Sequence, residues 1–253
     1  MTWEVAKRSV DFLVESNANN NNLLTIVFFG GEPTLMWDKI IVPTVEYCKT
    51  FNRLIKFSLT TNGTLLTKER LVFMQENHFS LLLSIDGDKK TQDYNRPSRD
   101  GKSSFDKVMT NLPNILEFFP DVTARGTLYP ATAEYLINNI MFFNKMNIRR
   151  CFIAPDAFSQ WDEESINKIK KALREYSLYF IDAYRTEKRI ILLNPLVKWF
   201  TYDQEQYHVS WCGLGQRIIS INYRGDILAC QELASYSTSD NPYLLGTIFT
   251  GID

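Results

Sequence analysis

Three short stretches hold most of the residues able to do chemistry: Gly30-Gly31-Glu32-Pro33, Thr61-Asn62-Gly63-Thr64 and Ser84-Ile85-Asp86-Gly87, with Arg125 further on. Gly30 and Gly31 lack a Cβ, so the backbone there can approach a ligand closely. Glu32 offers a carboxylate, Asn62 an amide, Ser84 a hydroxyl, Asp86 an acid and Arg125 a cation. That mixture suits a ligand bearing an ammonium, a carboxylate and a ribose, because each group finds its opposite charge or a hydrogen-bond partner. A plainer reading stays open for each: Glu32 as a helix cap, Arg125 as a buried ion-pair residue, GGEP as a turn between strand and helix. A triphosphate is not suited, since there is no glycine-rich loop ending in Lys-Ser or Lys-Thr, no G-x-G-x-x-G and no G-x-S-x-G. With two histidines, His78 and His208, a His-based metal site or a Ser-His triad is disfavoured.

These groups need elements to position them. Thr25 to Phe29 is a continuous β-branched and aromatic run, which predicts a strand buried on both faces of a parallel sheet and ending at the glycines. Ile55 to Thr60 and Phe79 to Ile85 predict the next two strands, ending at Asn62-Gly63 and at Asp86-Gly87. Val122 to Tyr129, with Arg125 in its middle, and Arg150 to Ala154 predict two more. Helices are predicted over 3–15, 36–52 with Pro43 in its first turn or at a break, 67–76, 103–119 capped by Ser103, 131–146 and 163–188. Residues 88–101 read as irregular, and 17–22, NANNNN, as a polar loop. Such an alternation argues for a parallel α/β sheet or barrel with helices outside, whose strand ends share one rim.

From about residue 190 the rhythm changes. Helical Pro195 to Tyr202 leads to Trp211, Cys212 and Gly213, then to short strands over 217–222 and 226–230 joined at Tyr223-Arg224-Gly225. This gives a division into 1–190 and 191–253. The second piece has little apolar sequence of its own and is expected to need a metal cluster or further chain for stability.

The 253 residues carry a formal net charge of −1 with no dense Lys/Arg patch, so nucleic acid is not an expected partner. No apolar run reaches the length of a membrane span, and charges run through residues 1–16, which argues against a signal peptide or membrane anchor. Four cysteines (Cys48, Cys151, Cys212, Cys230) are too few for a disulfide scaffold, and the expected location is the cytoplasm. Cys48 reads as a buried small hydrophobe.

The chain resembles the radical S-adenosylmethionine (radical SAM) enzymes, in the branch with a C-terminal SPASM domain. FFGGEP is similar to that family's GGE motif, which implies that Gly30, Gly31 and Glu32 meet the methionine ammonium of S-adenosylmethionine. TTNGT and SIDG resemble the next two strand ends, so the resemblance places Asn62, Ser84 and Asp86 along the pocket, with Ser84 near the ribose. Arg125 resembles the arginine that reaches the ligand's carboxylate. The stretch from Asp93 and Arg96 through Gly101, Ser104 and Phe105 resembles the segment after SIDG in SPASM proteins. Cys212, Gly225 and Cys230 match the opening of SPASM, and LGTIF a later segment, which implies that Cys212 and Cys230 are ligands of auxiliary [4Fe-4S] clusters.

The resemblance implies a partial (β/α)6-type barrel lacking its first strand, then the start of a SPASM-like module. It implies an enzyme that generates a 5′-deoxyadenosyl radical to modify a ribosomally made peptide or protein, using S-adenosylmethionine, a [4Fe-4S] cluster and a reductase or ferredoxin-type electron donor. The family's cluster motif, C-x-x-x-C-x-x-C, is absent from the 253 residues, and Gln231 stands where sulfatase-maturating members have an aspartate base. A sequence truncated at both ends, with the cluster motif upstream of Met1, is the expectation that reconciles these features, and the piece as given is then expected to be inactive. The rival is a catalytically inactive barrel acting as a peptide-binding or partner module.

Overall fold

A computed structural model of the chain describes residues 1–186, 192–193, 218–236, 241 and 243–252. In chain order the elements are α1 (Trp3–Glu15), β1 (Leu24–Phe28), α2 (Val42–Cys48), β2 (Ile55–Thr61), α3 (Lys68–Glu76), β3 (Phe79–Ser84), α4 (Lys89–Asn95), α5 (Ser104–Phe118) and β4 (Thr123–Leu128). They continue with α6 (Leu136–Lys145), β5 (Arg150–Pro155), α7 (Glu163–Arg185), β6 (Leu192–Leu193), β7 (Ser220–Ile221), β8 (Asp226–Leu228), β9 (Leu244–Thr247) and β10 (Gly251–Ile252). Strands β1 to β6 succeed one another in chain order across one sheet, and β7 to β10 form a second. The pairs β3–β4, β4–β5 and β5–β6 are parallel. The predicted α/β alternation is what the chain forms. Among the described residues no helix is long and apolar enough to cross a membrane.

Two compact units divide the chain: Met1–Phe57 with Asp203–Asp253, and Ser58–Tyr202. In the first, Thr2 caps α1 by accepting the Val5 N–H, and the helix buries Val5, Ala6 and Val10. Val5 packs with Ile227 and Ile248, and Phe12, Ile219, Ile221 and Leu245 close round them. The amphipathic helix thus sets its apolar face against the small antiparallel sheet. The β7–β8 turn is as predicted in position: Gly225, at φ +96°, donates its N–H to the Asn222 carbonyl. The strands on either side are shorter than predicted, and β9 and β10, around LGTIF, were not predicted. Helical Pro195 to Tyr202, and Trp211 to Gly213 with Cys212, lie outside the described residues.

Two predictions in this unit are corrected. Strand β1 is not buried on both faces: Leu24 and Phe28 are buried while Thr25 and Val27 are exposed, Val27 by 52%. It alternates as a half-buried strand does, and Phe28 stacks on Phe57 with ring centroids 6.4 Å apart. The helix predicted over 36–52 is a 3-10 turn at Pro33–Met36, a π turn at Trp37–Ile41 and then α2. Pro43, which has no N–H to give, stands in the first turn of α2, so the break falls where the sequence allowed one.

In the second unit β3, β4 and β5 alternate. Phe79, Leu81 and Leu83 of β3, with Ala124 and Leu128 of β4 and Cys151 and Ile153 of β5, are buried. Against that face α5 sets Val108, Leu112 and Ile115, and a Cβ at Gly63 would meet Leu83 Cδ1 and Ile115 Cδ1. Ser103 caps α5 as predicted, accepting the Asp106 N–H at 3.1 Å. Asp162 caps α7, with Glu163 and Glu164 in its first turn and Arg185 in its last, both favourable to the helix dipole. The stretch predicted as irregular contains α4, capped by Asp88, which accepts the Thr91 N–H at 3.0 Å. The helix predicted over 131–146 begins as a 3-10 turn at Pro130–Tyr135 before α6.

Candidate functional site

The residues singled out for chemistry fall in both units. Gly30, Gly31 and Glu32 come just after β1 in the first. Gly30 has φ +153°, and among the described residues a Cβ at either glycine would meet nothing within 4 Å. No neighbouring side chain therefore demands that Gly31 be small, which leaves its backbone open to a ligand. Glu32 starts the 3-10 turn: its Oε1 accepts the Thr34 N–H at 3.0 Å and the Thr34 hydroxyl at 2.5 Å. Thr34 is fully buried, so this pair fixes one carboxylate oxygen in place. The cap foreseen as the plainer reading is thus present, and a half-buried carboxylate held this way is also pre-oriented for a cation.

Asn62, Ser84, Asp86 and Arg125 are in the second unit. Asn62 Oδ1 accepts the Thr64 N–H at 2.9 Å and its hydroxyl at 2.7 Å, an Asx turn that bends the chain after β2. Asn111 of α5 holds the same turn, donating from Nδ2 to the carbonyls of Gly63 and Thr64.

Ser84 and Arg125 stand directly opposite each other in the parallel register of β3 and β4, and Arg125 is in turn opposite Phe152 of β5. Paired residues in a parallel ladder share a face, so Ser84, Arg125 and Phe152 form a row, with Leu82 and Thr123 below it and Thr127 and Ala154 above. All of these are half-buried, whereas their alternates on the helix-facing side are buried. The row sets a hydroxyl, a guanidinium and an aromatic ring side by side on the half-buried face. An anionic group carried next to a sugar or a flat ring finds a donor, a cation and a ring there.

Asp86 lies two residues past Ser84, with its side chain not exposed at all. Its Oδ2 accepts from Arg96 Nε at 2.9 Å, and its Oδ1 from Arg96 Nη2 at 2.9 Å and from the Thr127 N–H at 2.8 Å. The acid read from the sequence as a pocket residue is a buried carboxylate in a bidentate ion pair. Arg96, named from the sequence only as part of the stretch after SIDG, and Gln92, whose side-chain oxygen accepts the Asp86 N–H at 2.8 Å, are neighbours of Asp86 to which sequence reasoning gave no role. The one available sign was Asp88 at the start of a stretch free of Gly and Pro until Pro97. Tyr129 stands past the end of β4, where burial first, then the charges of Asp156 and Asp86, push its phenol pKa up against the opposing pull of Arg96.

Cys48 and Cys151 are buried, and desolvation pushes each thiol up to about 12. Neither suits a thiolate ligand. Cys230 is half-buried and free, while its predicted partner Cys212 lies outside the described residues. Among the described residues no group of three or more His, Cys, Asp or Glu side chains could hold a metal ion.

The model of the radical SAM superfamily matches residues 3–143. A cysteine-type anaerobic sulfatase-maturating enzyme of Clostridium novyi (strain NT) is 29% identical over 128 residues, a match covering 49% of this chain and 34% of that protein. The chain therefore spans about a third of that relative's length. The solved structure of native anSMEcpe with bound AdoMet and Kp18Cys peptide superposes with a TM-score of 0.80 at 19% identity, covering all of this chain and 70% of that one. Streptococcus suis SuiB bound to precursor peptide SuiA gives 0.63 at 17% identity, covering all of this chain and 58% of that one. At these identities both structures speak to the fold alone.

Proposed function

The chain belongs to the radical SAM superfamily, and from that membership we propose that it binds S-adenosylmethionine for a reaction that modifies a ribosomally made peptide or protein. The observation that carries the reading is the Ser84–Arg125 row on the half-buried face of β3 and β4. Arg125 binds the ligand's carboxylate, and Ser84 hydrogen-bonds its ribose. The family resemblance assigns the methionine ammonium to Gly30, Gly31 and Glu32 and adds Asn62 to the residues that contact the ligand. S-adenosylmethionine, when bound and given one electron by the family's reduced cluster, would release methionine and supply the 5′-deoxyadenosyl radical that takes a hydrogen atom from the substrate. The protein's own residues bind and orient it.

The residues present do not fit the [4Fe-4S] cluster that the family uses: the motif is absent from the 253 residues, and Cys48 and Cys151 are buried as thiols. Assignment of Cys212 and Cys230 to auxiliary clusters rests on the SPASM resemblance, as does a reductase or ferredoxin-type electron donor. A peptide or protein substrate is supported by the relatives, one named as a sulfatase-maturating enzyme and one solved with its precursor peptide.

Calorimetric titration with S-adenosylmethionine tests the reading. Arg125→Ala removes a charge-assisted contact and is expected to weaken binding by about 1.5–3 kcal/mol, with Arg125→Lys recovering part. Equal affinity of wild type and Arg125→Ala would refute the assignment. A wild type that binds a peptide but no S-adenosylmethionine would favour the inactive binding module.

A further inference from the structure

The fully buried carboxylate of Asp86 and the half-buried guanidinium of Arg96 form an ion pair at the end of the very strands that carry Ser84 and Arg125. Its connections reach both. Ile85 donates its N–H to the Arg125 carbonyl at 3.1 Å, the last backbone rung between β3 and β4 past the Ser84–Arg125 pair. The N–H of Thr127, which in a continued ladder would go to a β3 carbonyl, goes to Asp86 Oδ1 at 2.8 Å. The carbonyl of Thr127 accepts from Asn95 Nδ2 at 3.1 Å. Gln92 Oε1 takes the Asp86 N–H. Residues of α4 and its cap, Gln92, Asn95 and Arg96, therefore tie down Asp86, two residues past Ser84, and Thr127, two residues past Arg125.

Close packing leaves little slack at this place. A Cβ on Gly126 would lie 3.2 Å from the Ile85 carbonyl oxygen and 3.3 Å from Asp86 Cα. A backbone ladder alone would let the strand ends splay. A guanidinium fork on a fully buried carboxylate fixes direction as well as distance, which a lysine cannot do.

We propose that Asp86 and Arg96 are positioning residues, which hold the ends of β3 and β4 so that Ser84 and Arg125 present their hydroxyl and guanidinium to one ligand. Asp86 acts through Arg96 and Thr127 and does not touch the ligand. The inference rests on the assignment of Ser84 and Arg125 given above. It adds the α4 clamp as the device that sets their spacing, and it explains why a polar helix without an apolar stripe is part of this unit.

The test uses the full chain, with Asp86→Asn, Arg96→Met, the double variant and Arg96→Lys. Two measurements are made on each: calorimetric titration with S-adenosylmethionine, and the nuclear magnetic resonance signals of the Arg125 Nε–H and Ser84 amide without ligand. Each single variant is expected to weaken binding about tenfold, the scale of coupling between residues in one network, and the double variant no further. Both signals should move, and Arg96→Lys should recover part of the affinity. Losses that add in the double variant would mean two direct ligand contacts and would overturn the proposal. So would unchanged affinity, or unmoved signals, in variants whose melting temperature falls, since that is what a purely structural ion pair gives. If Arg96→Met does not fold, Arg96→Lys, which keeps the charge and loses the fork, makes the same comparison. If the wild type binds no S-adenosylmethionine, the ligand assignment fails, while the ligand-free signals still decide whether the pair positions Ser84 and Arg125.

Discussion

Two glycines beside the candidate site are expected to respond in opposite ways to the same substitution. In Gly87→Ala the new methyl would lie 2.0 Å from Asn139 Oδ1 and 2.1 Å from its Cγ, at a residue whose φ is +152°. Asn139 is 1% exposed, so it has no room to swing away, and its Oδ1 accepts the Asp88 N–H at 3.1 Å. Overpacking costs about 1–3 kcal/mol, the strained backbone about as much again, and the lost hydrogen bond about 1 kcal/mol. Even the lower ends sum to about 3 kcal/mol, a fall in Tm of about 6–12 °C for a chain of this size. Among the described residues Gly31→Ala meets nothing within 4 Å, and its φ is not in the left-handed region. Its stability should be unchanged or raised by up to about 1 kcal/mol, because alanine restricts the unfolded chain. Its affinity for S-adenosylmethionine should nevertheless fall about tenfold, the scale of one lost charge-assisted contact. Scanning calorimetry and titration on the same samples read both quantities. Gly31→Ala melting as low as Gly87→Ala, or binding as tightly as wild type, would refute the view that Gly31 is small for a ligand and not for the fold.

Other consequences come from the packing and the charges. Ile227→Ala, which empties the centre of the cluster between α1 and the small sheet, should cost about 2–5 kcal/mol in a denaturant titration, and a loss under about 1 kcal/mol would show that α1 does not depend on that cluster. Burial raises the pKa of Asp93, but hydrogen bonds from the Phe105 N–H and the hydroxyls of Ser103 and Ser104 outweigh it and leave the carboxyl below its ordinary 3.8. A lowered folded-state pKa contributes stability that is present above about pH 3.8 and lost as pH falls below it, so Asp93→Asn should flatten the acid limb of the stability curve, and an unchanged limb would contradict the assignment. Cys151, pushed up to about 12 by burial, contributes stability that is intact below the ordinary thiol value of 9.0 and lost as pH rises toward 12; Cys151→Ala should reduce that alkaline loss.

Much of this was legible from residue order. The alternation Thr123-Ala124-Arg125-Gly126-Thr127-Leu128 put Arg125 on one face and Ala124 and Leu128 on the other, as the structure does. The strand ends at Asn62-Gly63 and Asp86-Gly87 were marked by turn chemistry that depends only on neighbours. Strand β1 was misread because a continuous apolar run carries no period, and nothing in TIVFF says which face will be covered. Helix α4 was missed for a related reason: KKTQDYN has no apolar stripe, and its buried residues, Thr91 and Gln92, are polar. They are buried because Gln92 serves the Asp86 backbone, a contact set by the fold and not by spacing. The same holds for Asp86 itself. Its fork to Arg96, ten residues on, exists only because α4 turns the chain back, which no local pattern around Asp86 announces.

The account rests most heavily on Arg125 as the group that receives the carboxylate of S-adenosylmethionine, and a crystal structure of the chain soaked with that compound tests it most directly. The predicted result is a ligand whose carboxylate oxygens lie within about 3 Å of the Arg125 guanidinium, with the ribose hydroxyls against Ser84. S-adenosylmethionine ordered elsewhere on the protein, with its carboxylate on another cation and the Ser84–Arg125 row untouched, would contradict it.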